Sequence, residues 1–109
     1  MATVTDYVST LFNDKSNPNK ITLAFTMAGI ALKKGHTATV ILRVDAVHLA
    51  LPNALDDIDI GAPFEPAGKL LEAFIEQGGN VLVCGACMQH NGVEESAIDP
   101  RFSVISGDD

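Results

Sequence analysis

The sequence predicts an α/β protein, a three-layer α/β/α sandwich on a mainly parallel sheet of four or five strands. Short β-branched or wholly apolar runs alternate along the chain with segments of helical periodicity. Helices separate successive strands, so the connections are crossovers, and crossovers make parallel sheets covered by helices. The composition agrees: 47% apolar and 19% charged residues in a chain of 109 is globular and fits one domain, residues 1–109.

Thr3–Phe12, with Val4, Tyr7, Val8 and Leu11, reads as the first strand. The polar loop 13–17 follows, and Asn17 is placed to cap a helix that begins at Pro18, where proline is favoured. Ile21, Ala24, Phe25, Ala28, Ala31 and Leu32 recur at helical spacing and define its buried face. Lys33 and Lys34 place cations at its end, and Gly35 supplies the residue that stops it. Thr37–Val44 is a β-branched run, expected as a buried second strand. Asp45–Ala50 reads as a short helical turn.

Leu51–Pro66, with three prolines and the acidic Asp56, Asp57 and Asp59, is expected to be a long excursion without regular structure. Ala67–Gln77 is a second helix, with Leu70, Leu71, Phe74 and Ile75 inward and Gly78-Gly79 ending it. Val81–Cys84 is a short apolar strand, Gly85–Asn91 a short helix and Arg101–Ser106 a fourth strand. Ser106-Gly107-Asp108-Asp109 reads as the cap of a further helix, so the expectation is a domain truncated at its C-terminus. Strand order does not follow from the sequence.

Several function classes are disfavoured at this stage. A net charge of −7 repels phosphate backbones, and no aromatic platform set among basic residues is present, so nucleic acid is not an expected partner. The longest apolar stretch, Ile21–Leu32, is too short to span a bilayer, and the N-terminus lacks the pattern of a signal peptide, so no membrane partner and a cytoplasmic location are expected. In that compartment two cysteines are more naturally thiols, metal ligands or redox groups than a structural disulfide. No cofactor is expected: the glycines form neither a dinucleotide fingerprint nor a phosphate loop, and Ser9 and Thr10 alone are a weak flavin signal.

The chemistry concentrates in Val81–Gly92. Cys84 falls at the carboxyl end of a strand, the edge where open parallel sheets hold their ligands. If Gly85 opens a helix, free backbone N–H groups beside the thiol favour thiolate, the reactive form. The competing reading is that Cys84 is a small buried hydrophobe, since cysteine is among the most buried residue types. The spacing Cys84-x-x-Cys87 suggests a dithiol pair but lacks the aromatic and proline neighbours of thioredoxin-type sites. Adding His90 gives three potential ligands in seven residues, and zinc would need a fourth, so no metal is expected.

His48 follows the second strand and could assist a thiol at the same edge, although a partly exposed helix histidine is the simpler reading. Cys87 is expected to be auxiliary. It could resolve a persulfide or disulfide at Cys84, or turn inward to pack beside Met88, and packing is the favoured reading. No Lys or Arg occurs between Lys69 and Arg101, so a cation for the thiol must come from elsewhere in the fold or from a neighbouring subunit.

At this point the chain resembles the DsrE-like family of small sulfur-relay proteins. The resemblance rests on the Ala-rich helix run Ile21–Ala28, on the strand and turn Val40–Ala50, and on Val83-Cys84-Gly85-Ala86-Cys87 with Gly92 eight positions after Cys84. It implies that Cys84 receives persulfide sulfur and passes it on; Gly85, Cys87, His48 and His90 are the auxiliary candidates that the residues themselves suggest. It also implies a homo-oligomer, trimer or hexamer, and a sulfur donor or acceptor protein as partner. A mean hydropathy of +0.21 is compatible with apolar surface covered by assembly, and Leu51–Pro66 with Phe64 is the expected interface. Relatives often carry a basic residue just before the glycine matched by Gly92, where this chain has Asn91. The alternative function is a non-catalytic oligomeric or ligand-binding protein on the same fold with a structural Cys84.

Overall fold

A computed structural model describes residues 7–14 and 16–105. The portion of the expected first strand before Tyr7 and the expected helix cap at 106–109 lie outside the described residues. Four strands form one parallel sheet in the order β1-β2-β3-β4: β1 Tyr7–Leu11, β2 Ala38–Leu42, β3 Asn80–Cys84 and β4 Ser103–Ile105. Three α-helices accompany them, α1 Pro18–Lys33, α2 Ala67–Glu76 and α3 Gly85–His90. This is the expected α/β sandwich with a four-stranded parallel sheet.

Helix α1 spans the predicted residues, and the Asn17 side chain accepts a hydrogen bond from the Lys20 N–H at 3.3 Å. Gly35 ends it at φ +90°, a conformation open to glycine at little cost. Strands β2 and β4 are shorter than predicted, whereas β3 gains Asn80 at its start. The run 37–44 pairs only over Ala38–Leu42, because Arg43 turns the chain into a 3₁₀ segment, Val44–Ala50. Likewise β4 begins at Ser103, because Arg101 bends back to hold Asp99. The excursion 51–66 carries turns but no regular element, as expected.

The two long helices lie together over one face of the sheet. Phe25 of α1 and Phe74 of α2 meet edge to face with centroids 6.0 Å apart, both buried. Beneath them Leu11, Val40, Leu42, Val81 and Val83 complete one apolar cluster. Strand alternation sends Val8, Thr10, Ile41, Leu82 and Cys84 to the opposite face. That face is buried at its β3–β4 end, at Leu82, Cys84 and Ile105, and open at β1, where Val8 is 53% exposed. Consecutive parallel strands joined by right-handed crossovers place their helices on the same side, which accounts for the asymmetry. Among the described residues no helix is long and apolar enough to cross a membrane.

Candidate functional site

The parallel sheet brings the ends of β2 and β3 side by side, so the segments that follow them pack together. Val81, Leu82 and Val83 bury β3 on both faces, and this apolar strand delivers Cys84 to the carboxyl edge. Helix α3 starts at the next residue, with Cys84 as its N-cap. The glycine at 85 has a steric reason. A Cβ there would meet the Ile105 carbonyl oxygen and Val104 Cγ1, each at 3.2 Å, so a larger residue would have to push β4 back by a few tenths of an ångström.

Cys84 and Cys87 are both free thiols, the first buried and the second half-buried. Three residues apart on one turn, they face each other. Burial works against a charged Cys84. The Cys87 thiol donates to its sulfur, the N–H groups of Cys87 and Ala86 point at it, and the Arg43 guanidinium adds positive potential. Together these outweigh burial and hold the Cys84 thiol below its usual range. The backbone N–H groups act at a distance, without completing a capping hydrogen bond of full geometry.

Cys87 receives the opposite treatment. The Val44 N–H faces its sulfur and favours charge, but the proton it shares with Cys84, its own burial and the charge on Cys84 keep it protonated, above the usual thiol range. The two thiols titrate as a pair in which the first negative charge settles on Cys84.

Asn91 ties this arrangement together. Its Nδ2 donates to the Cys87 carbonyl oxygen at 2.9 Å and to the Val44 carbonyl oxygen at 3.3 Å, and its Oδ1 lies 3.3 Å from His48 Nε2. Val44 has φ +54°, a conformation that costs a β-branched residue energy and persists only where the surroundings enforce it. Here it turns the Val44 N–H to Cys87 and the Val44 carbonyl to Asn91. Asp14 extends the group: its carboxyl is held below the ordinary range by the Ser16 N–H, with a smaller contribution from the charge of His48.

The sequence-predicted residues therefore divide. Cys84, Gly85 and Cys87 meet at one point, and His48 joins them through Asn91. His90 is exposed at the end of α3 and stands apart. Among the described residues no three His, Cys, Asp or Glu side chains gather as a metal site would require. Sequence reasoning missed Arg43 and Val44. Arg43 follows β2 at the same sheet edge as Cys84, a proximity that only the pairing of β2 with β3 reveals. The left-handed Val44 left no trace in the sequence, since valine disfavours it. Asn91, read there as the loss of a cation, is the connecting residue.

A parallel α/β sandwich with a paired thiol at the carboxyl end of an inner strand defines a small thiol-bearing α/β protein. The chain belongs to the DsrE/DsrF-like family, whose model matches residues 7–109. It is 28% identical over 88 residues to the uncharacterized protein MJ0760 of Methanocaldococcus jannaschii, across 81% of this chain and 32% of that protein. The chain thus spans about a third of the length of that relative. Its fold is similar to the crystal structure of the YchN protein of E. coli, with a TM-score of 0.61 at 16% identity over 93% of this chain and 82% of YchN.

Proposed function

We propose that this chain is a sulfur carrier that relays persulfide through Cys84 in the cytoplasm, between a donor and an acceptor protein. The observation that carries the reading is the treatment of the two thiols: the Cys87 thiol, two backbone N–H groups and Arg43 all act to place negative charge on Cys84. Sulfur exchange requires a thiolate. The Cys84 thiolate attacks the terminal sulfur of a donor persulfide. A bond forms from Cys84 Sγ to that sulfur, the donor's S–S bond breaks, and the donor thiolate leaves. An acceptor thiolate later attacks the same terminal sulfur and releases Cys84. Neither step needs an external oxidant. Incubation with a persulfide donor followed by intact-mass measurement tests this: the native protein gains about 32 Da that a thiol reductant removes, one sulfur held as a persulfide, and Cys84→Ser does not. An adduct that persists in Cys84→Ser, or that forms neither on the native protein nor on Cys87→Ala, removes Cys84 from the role.

A second reading has its own observation. Cys84 is only 3% exposed, as a purely structural cysteine would be. Relay then requires the short helix α3 to swing away from the 3₁₀ segment, a local opening of the kind that single turns held by few contacts undergo. A thiol inert until denaturation would make this a non-catalytic protein on the same fold.

The carrier is proposed to act as a homo-oligomer, trimer or hexamer. Leu23, Met27 and Ile30 form an apolar stripe along α1, 48%, 46% and 41% exposed, and Phe12 is 52% exposed just past the edge strand β1. Contiguous apolar surface of this kind marks contact sites. Phe64, in the expected interface, is half-buried and lines a cleft of about 210 Å³ with Ile30, Lys33 and Leu70.

A further inference from the structure

We propose that Cys87 discharges the persulfide held on Cys84, so that the pair releases its sulfur as sulfide and closes to a disulfide. The proposal rests on the relay reading and adds to it a reductive activity toward persulfides. Its basis is the geometry of α3. Cys84 is the N-cap and Cys87 stands one turn later on the same side of the helix, with its thiol within hydrogen-bonding reach of the Cys84 sulfur.

Cys87 is also held in place from two sides. Asn91 Nδ2 binds its carbonyl oxygen at 2.9 Å, and the N–H of the strained Val44 faces its sulfur. Unlike Cys84, Cys87 is half-buried, so a reductant arriving from solvent meets it first.

The step balances without an added oxidant. Cys87 Sγ attacks Cys84 Sγ of the persulfide, and a Cys84–Cys87 S–S bond forms. The bond from Cys84 Sγ to the terminal sulfur breaks, and the thiol proton of Cys87 passes to that sulfur, which leaves as HS⁻. The sulfane sulfur gains two electrons, and the two cysteine sulfurs supply them. Cys87 rests protonated and gives up its proton to the terminal sulfur as it attacks; the Val44 N–H and Arg43 favour the negative charge that develops on it. A dithiol reductant resets the pair.

The test loads the native chain, Cys87→Ser and Cys87→Ala with inorganic polysulfide, removes the excess, and follows mass and free sulfide anaerobically without reductant. Both variants should hold the adduct of about 32 Da, with their fold checked by circular dichroism. In the native chain the adduct should decay about tenfold or more faster, as an intramolecular attack predicts. The product should be a species about 2 Da lighter than the dithiol, with one sulfide released per disulfide formed. A native adduct as long-lived as that of the variants, with no disulfide and no sulfide, overturns the proposal and leaves the relay intact. Absence of any adduct on the native chain and both variants overturns the relay reading and this proposal with it.

Discussion

At the residue scale the account turns on where one proton sits. Cys84 is charged more readily than an ordinary thiol because Cys87 shares its proton and Arg43 faces the pair. Replacing Cys87 with alanine should therefore raise the apparent pKa of Cys84, and Arg43→Gln should raise it by less, since Arg43 acts only through its charge. Ultraviolet thiolate absorbance across a pH series checks both; an unchanged titration in Cys87→Ala would contradict the shared proton. Much of this site was legible in the sequence. An apolar run ending in Cys-Gly marks a thiol at a sheet edge, and Cys87 follows by spacing. The cation was not placed, because Arg43 is forty-one residues away and only the parallel pairing of β2 with β3 brings it near. The strain at Val44 was unreadable, because tertiary packing imposes it against local preference.

At the scale of elements, the contact between α3 and the 3₁₀ segment sets how exposed the thiols become. Asn91 bridges the two elements by hydrogen bonds to Val44 and His48 and also holds the Cys87 carbonyl. Asn91→Ala should destabilise the fold by about 1–2 kcal/mol. It should also speed amide exchange across 44–50 and 85–91 more than in β2. Urea denaturation and hydrogen exchange measure these, and uniform exchange through the chain would deny Asn91 its bridging role. The turn after α2 gives a purely steric prediction. A Cβ at Gly79 would land in the ring of buried Phe74, so Gly79→Ala should cost about 1–3 kcal/mol. Sequence periodicity located α1 and α2, because their boundaries are set by local signals such as Pro18, Gly35 and Gly78. The ends of β2 and β4 were overextended, because a strand stops where its partner stops, and β propensity does not encode the partner.

At the scale of the whole molecule, two features of the surface and core make predictions. Buried Asp99 ties the segment before β4 to the rest of the fold. Its N–H donates to the Ala50 carbonyl at 2.8 Å, and its carboxylate holds Arg101 through contacts of 2.7, 3.0 and 3.2 Å. Arg101 lowers the Asp99 carboxyl below its ordinary value. A folded-state value below the unfolded one contributes stability that is complete above the unfolded value, about 3.9, and lost as pH falls through the folded value. Asp99→Asn should thus be less stable than the native chain by about 1 kcal/mol at neutral pH, since Arg101 is half exposed and partly screened. That deficit should shrink as the solution is acidified below about pH 4. Chemical denaturation along a pH series reads this, and a deficit independent of pH would exclude the carboxylate as its cause. On the outside, Met27→Lys should shift the protein toward smaller species in light scattering. A native mass of 11.5 kDa at micromolar concentration would dispose of the oligomer. Fold class was legible because strand and helix alternation dictates a parallel sheet. Strand order, and with it the open face at Val8, was not, because no local signal states which strands become neighbours.

The central claim is that Cys84 is a reactive thiolate despite being buried, and native alkylation kinetics test it most directly. Iodoacetamide is added to the folded Cys87→Ala protein over a pH series, with labelled peptides mapped by mass. The account predicts modification of Cys84 in native buffer, at a rate limited by local opening of α3. That rate should already be substantial at neutral pH, where a thiol of ordinary pKa, about 8.5, is only a few per cent ionised. Removing Cys87 sacrifices one stabilising partner, so the native protein, assayed in parallel at Cys84, should react at still lower pH. Cys84 that stays unlabelled in both proteins until denaturant unfolds them would contradict the claim.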